Sequence, residues 1–196
     1  MRKIVLATNN KNKLREVREI LTPLGITVLS QQEAGTSVNP EENGTTFAAN
    51  AEIKARAVYE ATGLPVIADD SGLCVDALDG APGVYSARYS GENATDASNR
   101  AKLLQEMQGI KDRSARFHAS LVLYFPNGEH IHAEGTTEGL ILEEETGENG
   151  FGYDNLFFSL DLNMSFGLAS AEAKNKISHR GRAILKLAET LKEIAK

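Results

Sequence analysis

The sequence of 196 residues predicts an α/β protein in which helices flank a mixed β-sheet. In its first part, short apolar runs alternate with segments whose apolar residues recur at helical spacing. In its middle part, two β-rich runs flank Asn127-Gly128, which favours an antiparallel hairpin. A hydrophobic fraction of 41% is enough for a packed core. The β-rich middle is expected to form a second lobe, with a cleft between the two lobes.

The N-terminal part predicts strands and helices in alternation. Apolar runs bounded by polar residues indicate buried strands, and Pro23 and Gly25 are expected to end the first helix. The predicted elements are strands over Lys3–Ala7, Ile26–Leu29 and Pro65–Ala68, and helices over about Lys11–Leu21 and Thr46–Thr62.

The remainder of the chain predicts one helix, a β region and a closing helix. The closing helix is indicated by a single apolar stripe that includes Ile184, Leu187 and Leu191. The predicted elements are helices over about Asp96–Met107 and His179–Ala195, strands over Arg116–Phe125 and His130–Glu138, and a further short strand over Leu140–Leu142.

Charge and cysteine content narrow the classes of partner. The formal net charge is −6, so a grip on long nucleic acid through a basic face is not expected. Cys74 is the only cysteine, which excludes an intrachain disulfide and fits a reducing compartment. Because no apolar run reaches the length of a signal peptide core or a membrane span, we expect a cytoplasmic protein without a membrane partner.

A polar segment between the first strand and the first helix is a candidate phosphate site. Backbone N–H groups at a helix start attract anions, and lysines and amides there would add charge and hydrogen bonds. The alternative is an ordinary polar loop, since the glycines of a Walker motif are missing. The candidate residues are Thr8, Asn9, Asn10, Lys11, Asn12 and Lys13.

Two adjacent carboxylates follow the third predicted strand, in Asp69-Asp70-Ser71-Gly72. Neighbouring carboxylates repel each other and need a cation, and Mg²⁺ takes oxygen ligands and acts on triphosphates. Glu41 and Glu42 in the preceding loop could complete the ligand set. The alternative is a turn, because this composition is also typical of turns.

Two further segments could hold a base. Phe151, between Gly150 and Gly152, could stack on a nucleobase, although this segment taken alone favours a β-bulge or turn with buried aromatics. Arg180 could donate to a keto oxygen or a phosphate, with capping and surface charge as the alternative. Lys54 alone would be interpreted as a surface lysine. His118, His130 and His132 show no metal-ligand spacing and are interpreted as structural or surface residues.

At these same segments the chain resembles the non-canonical purine NTP pyrophosphatases, also called inosine triphosphate pyrophosphatases or Ham1-like proteins. The resemblance covers essentially the whole chain, because several long motifs occur in the same order. The motifs are Leu6–Lys13, Thr46-Phe47 with Asn50-Ala51 and Lys54-Ala55, Ala68–Leu73, Gly80–Arg88, Gly150–Asp154, Lys174 and Ile177–Gly181.

The resemblance implies a single domain over residues 1–196, with an elongated fold of two lobes, usually as a homodimer. It implies Mg²⁺-dependent cleavage of deaminated purine nucleoside triphosphates (dITP, ITP and XTP) to the monophosphate and pyrophosphate. Asp70 matches the proposed general base and, with Glu41 or Glu42, the metal ligands. The residues that match substrate-binding positions are Thr8–Lys13, Ser71, Phe151, Gly152, Tyr153, Asp154, Lys174, His179 and Arg180, and Lys54 is expected to add charge toward the triphosphate.

The chain departs from the family pattern at a few positions. Ala49 and Ala173 replace glutamates, and Asn155 replaces a proline. Two alternatives therefore stay open: a different nucleotide hydrolase, such as a phosphatase or an enzyme for modified pyrimidines, and a non-catalytic nucleotide-binding protein. Turnover of dITP and the identity of the phosphate product distinguish them.

Overall fold

The structure is a computed structural model that describes residues 3–194. Its strands, numbered along the chain, are β1 Lys3–Leu6, β2 Thr27–Leu29, β3 Val66–Val75, β4 Ser114–Tyr124, β5 His130–Ile141, β6 Phe157–Ser159 and β7 Met164–Ser165. Its α-helices are α1 Lys11–Leu21, α2 Phe47–Thr62, α3 Asp96–Glu106, α4 Ala171–Ile177 and α5 His179–Ile194.

The seven strands form one mixed sheet in the order β2-β1-β3-β4-β5-β6-β7. β1 pairs in parallel with β2 and with β3, whereas β6 pairs antiparallel with β5 and with β7. A parallel pair of consecutive strands needs a crossover, and α1 supplies the one between β1 and β2. The predicted α/β class with a mixed sheet and flanking helices is confirmed.

The chain divides into two compact units. Among the described residues, unit 1 comprises 3–70, 119–135 and 180–194, and unit 2 comprises 71–118 and 136–179. The single domain, the elongated shape and the substrate cleft stay predictions. No helix within 3–194 is both long enough and apolar enough to cross a membrane.

Each unit has its own hydrophobic core. In unit 1, one face of β1 and β3 packs against α1 and α5 through residues such as Leu6, Val17 and Leu187. The other face packs against α2 through residues such as Val5 and Val58. In unit 2, Leu73, Leu103, Phe157 and Phe166 belong to one buried cluster. The side chains that carry chemistry are therefore anchored on two separately packed scaffolds.

The first two helices begin at polar caps. Asn10 accepts hydrogen bonds from the N–H groups of Asn12 and Lys13, which fixes the start of α1. Thr46 accepts from the N–H of Ala49 at the start of α2. The glutamate that the resemblance leads one to expect at position 49 would complete a capping box there.

Several predicted boundaries were wrong. The third strand does not end at Ala68: β3 continues to Val75, so the paired carboxylates lie inside a strand and not in a turn. The short strand predicted over 140–142 is the end of β5. α4, β6 and β7 were not predicted, because such short elements give little periodic signal. Ala195, the predicted end of the last helix, lies outside the described residues.

Candidate active site

β3 places the two adjacent carboxylates in different surroundings within unit 1. Successive side chains of a strand point to opposite faces, so neighbouring residues meet different partners. Asp69 and Asp70 are both buried, with 1% and 8% of each residue exposed. Their partners differ completely, and the two carboxylates are therefore suited to different tasks.

Asp69 lies in a buried ion-pair network. Its carboxylate is 2.8 Å from Lys13 Nζ and accepts from Nε and Nη2 of Arg180 at 3.2 Å. Arg180 also donates through Nη1 to Glu16. Burial would raise the pKa of Asp69, but the charges of Arg180 and Lys13 outweigh it and hold the pKa far below its usual range. Asp69 is thus a permanently ionised structural anion.

Replacing Asp69 by asparagine should destabilise the protein. The change removes the charge that neutralises two buried cations, which typically costs about 3 kcal/mol or more. For a chain of this size we expect the melting temperature to fall by roughly 10 °C. Thermal and urea unfolding of Asp69→Asn and of Asp70→Asn, the same change one residue along, measure the melting temperature and the free energy of unfolding. Equal stability of the two variants would contradict the structural role of Asp69.

Asp70 faces a different set of groups. Lys54 Nζ lies 3.1 Å from Asp70 Oδ1 and 2.8 Å from Glu42 Oε2, and it donates to the carbonyl oxygen of Asp69 at 2.9 Å. The amide of Asn50 donates to Asp70 Oδ2 at 3.2 Å. Burial raises the pKa of Asp70 despite the nearby lysine charge. Burial would lower the pKa of Lys54, but Asp70 and Glu42 outweigh it and raise the pKa.

These contacts test whether the chain can hold a divalent cation. Three oxygen atoms, from Glu42, Asp69 and Asp70, already surround the Lys54 ammonium. Oxygen donors that gather around a positive charge are the ligands that Mg²⁺ prefers, so the residues fit this ion. The side chain of Glu42 is half-buried beside Asp70, whereas Glu41 is exposed. The geometry therefore favours Glu42 over Glu41 as the second carboxylate.

Asn50 links Asp70 to the loop that carries Glu42. Its Oδ1 accepts from the backbone N–H of Gly44 at 2.8 Å while its Nδ2 donates to Asp70. Asn50 is 1% exposed, so its amide has a fixed orientation. A Cβ on Gly44 would lie 2.6 Å from Asn50 Oδ1, which explains the glycine. Asn50 is a positioning residue for both carboxylates.

The predicted phosphate segment is ordered by its own side chains. Asn10 donates its N–H to Thr8 Oγ1, and its side chain occupies the N–H groups of Asn12 and Lys13. In this structure the N–H groups of Asn12 and Lys13 therefore donate to the capping side chain of Asn10. Lys13 contacts Asp69, and burial lowers the pKa of Lys13. Asn9, Asn10 and Lys11 are exposed at this end of α1.

Unit 2 brings together most of the residues predicted to hold a base. Lys174 is buried, lies 2.7 Å from Asp154 Oδ2 and places its ammonium 4.8 Å from the centre of the Phe151 ring. Asp154 also accepts from the N–H of Phe151 at 2.8 Å. A Cβ at Gly150 would lie 2.1 Å from Asp154 Oδ2, so only glycine allows this approach. The buried cation polarises one face of a half-exposed ring.

Other predicted residues make contacts that compete with a role in substrate binding. Tyr153 is buried and donates its hydroxyl to the carbonyl of Ser86 at 2.8 Å. Gly152 donates its N–H to Asp96 at 2.8 Å. His179 is buried and stacks on Phe117 with ring centroids 4.8 Å apart. Ser71 is half-buried in β3, directly after Asp70.

Residues 4–190 match the sequence model of the Ham1 family. The chain belongs to the Ham1 family. The predicted resemblance to Ham1-like proteins is thereby confirmed.

Relatives and solved structures agree with this membership. A dITP/XTP pyrophosphatase of Desulforamulus reducens is 50% identical over 98% of this chain and 96% of its own length. One of Geobacter sulfurreducens is 48% identical, with 97% of each chain covered. A HAM1 protein from Coxiella burnetii is 43% identical, with a TM-score of 0.89 over 98% of this chain and 100% of that chain. This Ham1 chain is therefore similar in sequence to all three proteins, and it is similar in fold to the Coxiella burnetii protein.

Two residues of this Ham1 site were missed by sequence reasoning. Glu16 is buried on α1 and pairs with Arg180. Glu16 follows Lys13 by three residues and lies on the same face of the helix. A carboxylate on the buried face of a helix needs a cation as its partner, and this is the signal in the sequence that could have identified Glu16. Asn50 was seen only as part of a motif, because no local pattern connects it to Asp70.

Proposed function

We propose that this Ham1 protein hydrolyses dITP, ITP and XTP to the nucleoside monophosphate and pyrophosphate, with Mg²⁺ as the cofactor. The observation that carries the proposal is the separation of the two carboxylates: Asp69 is neutralised within an internal network, while Asp70 faces Lys54, Glu42 and Asn50. The names of the two relatives support the substrate class. The biological role would be removal of deaminated purines from the nucleotide pool.

Asp70 and Glu42 would hold the Mg²⁺, with the carbonyl of Asp69 beside them. When bound, the ion supplies positive charge that the triphosphate and the leaving pyrophosphate need. Asp70 lies outside the ion-pair network of Asp69, so we assign to its carboxylate the removal of a proton from the water that attacks the α-phosphorus. Asn50 fixes the orientation of this carboxylate.

The chain's own cations neutralise further charge. Lys54 and Lys13 lie within unit 1 beside the two carboxylates, and each can exchange a carboxylate partner for a phosphate oxygen. In unit 2, the exposed part of the Phe151 ring offers a surface for stacking on a purine, and Lys174 and Asp154 hold the loop in place. All five residues belong to the substrate-binding set predicted from the sequence.

Product analysis tests the proposed reaction directly. We expect one pyrophosphate and one deoxyinosine monophosphate per dITP consumed, and no orthophosphate before an added pyrophosphatase acts. Orthophosphate as the first product would favour a phosphatase. Binding of dITP without turnover, in the presence of Mg²⁺, would favour the non-catalytic alternative.

Glutamine variants of the two neighbouring glutamates test the metal assignment. Glu42→Gln should raise the Mg²⁺ concentration for half-maximal activity by about tenfold, the lower range for disturbing a metal site. Glu41→Gln is the matched control, since Glu41 is exposed, and its Mg²⁺ dependence should stay at the wild-type value. Mg²⁺ titration after EDTA treatment measures both variants. The reverse result would assign the ligand to Glu41, and activity in EDTA would exclude a metal.

The homodimer and the cytoplasmic location also stay proposals. Tyr85, Leu160 and Leu168 of unit 2 are large apolar residues that are 59%, 56% and 56% exposed. Exposed apolar side chains of this size are suited to burial against a second chain. Light scattering coupled to size-exclusion chromatography gives the mass in solution, and a mass of one chain would contradict the dimer.

A further inference from the structure

Three potential metal ligands meet in unit 1, on residues to which the proposed reaction gives no role. His130 and His132 lie two residues apart on β5, so their side chains share one face of the strand. Glu52 on α2 faces them, with its Oε1 3.6 Å from Nε2 of His130. One ligand atom from each of the three residues lies within 4.8 Å of the others. Sequence reasoning missed this cluster because Glu52 is far from the histidines along the chain.

Aromatic contacts hold the histidine rings in place. Tyr124 of β4 lies nearly parallel to His130, with an interplanar angle of 6° and centroids 6.0 Å apart. Tyr59 of α2 packs on Tyr124 at 5.1 Å and donates its hydroxyl to the carbonyl of Pro126 at 2.7 Å. His132 meets His130 edge-on at 5.1 Å. The ligand positions are therefore supported by packing as well as by backbone geometry.

We propose that Glu52, His130 and His132 form a Zn²⁺ site. Imidazole nitrogens and a carboxylate are ligands that Zn²⁺ binds at about 2.0–2.2 Å, so tetrahedral ligand atoms lie about 3.3 Å apart. The distance from Glu52 Oε1 to His130 Nε2 is 3.6 Å and all three ligand atoms lie within 4.8 Å of one another, so each pair must approach by at most about 1.5 Å to reach this value. Three protein ligands leave the fourth position for water, and the partial exposure of Glu52 and His130 gives the ion access from solvent.

This site differs in chemistry and position from the carboxylates beside Lys54. Mg²⁺ prefers oxygen ligands, whereas imidazole favours transition metals. Glu52 lies two residues from both Asn50 and Lys54 on α2, which is about 200° around the helix, and so faces away from Asp70. Zn²⁺ bound here would join α2 to β5 and stabilise the folded state, because binding requires ligands that only folding brings together.

The test is a Zn²⁺ titration of the untagged, metal-free protein by calorimetry in saturating Mg²⁺. We expect one Zn²⁺ per chain and a higher melting temperature when it is bound. His132→Ala and Glu52→Gln should each weaken binding by at least about tenfold. Both positions are exposed enough that the variants should fold. Tetrahedral Co²⁺ absorption in the wild-type protein, lost in both variants, is a second readout of the same ligands.

Matched controls assign the ion to this cluster. Glu60→Gln makes the same change at an exposed position of α2, and His118→Ala makes the same change on β4, where His118 contacts Thr136 instead. Both controls, and Asp70→Asn, should bind Zn²⁺ as the wild type does. No Zn²⁺ binding, equal binding by the two cluster variants and the wild type, or loss of binding in Asp70→Asn would overturn the proposal.

Discussion

Replacing Asp70 by asparagine should lower kcat for dITP by about 10²- to 10⁴-fold, the range for loss of a positioned proton acceptor. The variant keeps the size of the side chain and removes its charge and basicity. Lys54 keeps its contacts with Glu42 and with the carbonyl of Asp69, so no buried cation loses all of its partners. We therefore expect the free energy of unfolding to stay within about 1 kcal/mol of the wild type. Steady-state kinetics and urea unfolding on one preparation measure both quantities.

The neighbouring carboxylate supplies the control for this experiment. Asp69→Asn should lose stability, because it uncouples Lys13 and Arg180, whereas Asp70→Asn should lose activity at nearly full stability. Near-wild-type kcat in Asp70→Asn would remove Asp70 from both the metal and the proton-transfer roles. A large loss of stability in Asp70→Asn would instead assign it a structural role.

The enzyme should use ITP in preference to ATP by about 10⁴-fold in kcat/KM, the discrimination that hydrogen bonding to a specific group can give. Inosine and xanthosine present a 6-keto acceptor, where adenosine presents an amino donor. Hydrogen-bond donors in the pocket can donate to the keto oxygen of inosine. The amino group of adenosine offers them no acceptor, so the buried donors would be left without partners. GTP shares the 6-keto group, so we expect its rejection to depend on the 2-amino group. Measuring kcat/KM for dITP, ITP, XTP, GTP and ATP tests this, and equal use of ITP and ATP would contradict it.

The source of these donors is a separate question. Arg180 was predicted to read the base, yet its Nε, Nη1 and Nη2 groups contact Asp69 and Glu16. We propose that backbone N–H groups read the 6-keto edge and that Arg180 fixes Asp69. Arg180→Lys should then lower stability and leave the ITP to ATP ratio within about threefold of the wild type. A large fall in the ratio of kcat/KM for ITP to that for ATP would show that the guanidinium recognises the base. Because both values come from one preparation, the fraction of inactive protein cancels in the ratio.

Elements with strong periodic patterns were predictable from the sequence, and their contacts were not. α1 and α2 were predicted to within a residue, because capping residues precede each helix and an apolar face follows. β3 was cut short at Ala68, since Asp69 and Asp70 have low strand propensity and tertiary ion pairs override it.

In the candidate site, too, the residue types were predictable from the sequence and their contacts were not. The motif around Asp70 indicated a metal, and the choice between Glu41 and Glu42 needed the position of Lys54. Phe151 and Lys174 were predicted separately, and only folding shows the ammonium over the ring. The chemistry of a residue can be inferred from its type. Which residues contact it from distant parts of the chain depends on the fold, and so could not be predicted.

Unit 1 is built from three separated stretches of chain, and this has a consequence for synthesis on the ribosome. The pair between Glu16 and Arg180 spans 164 positions. A nascent chain that lacks α5 therefore holds Lys13, Glu16 and Asp69 without the guanidinium that joins them, and it lacks part of the core as well. Contacts between residues this far apart in sequence form late and slowly during folding. We therefore expect the buried network around Asp69 to form only after α5 has left the ribosome, because that helix supplies Arg180.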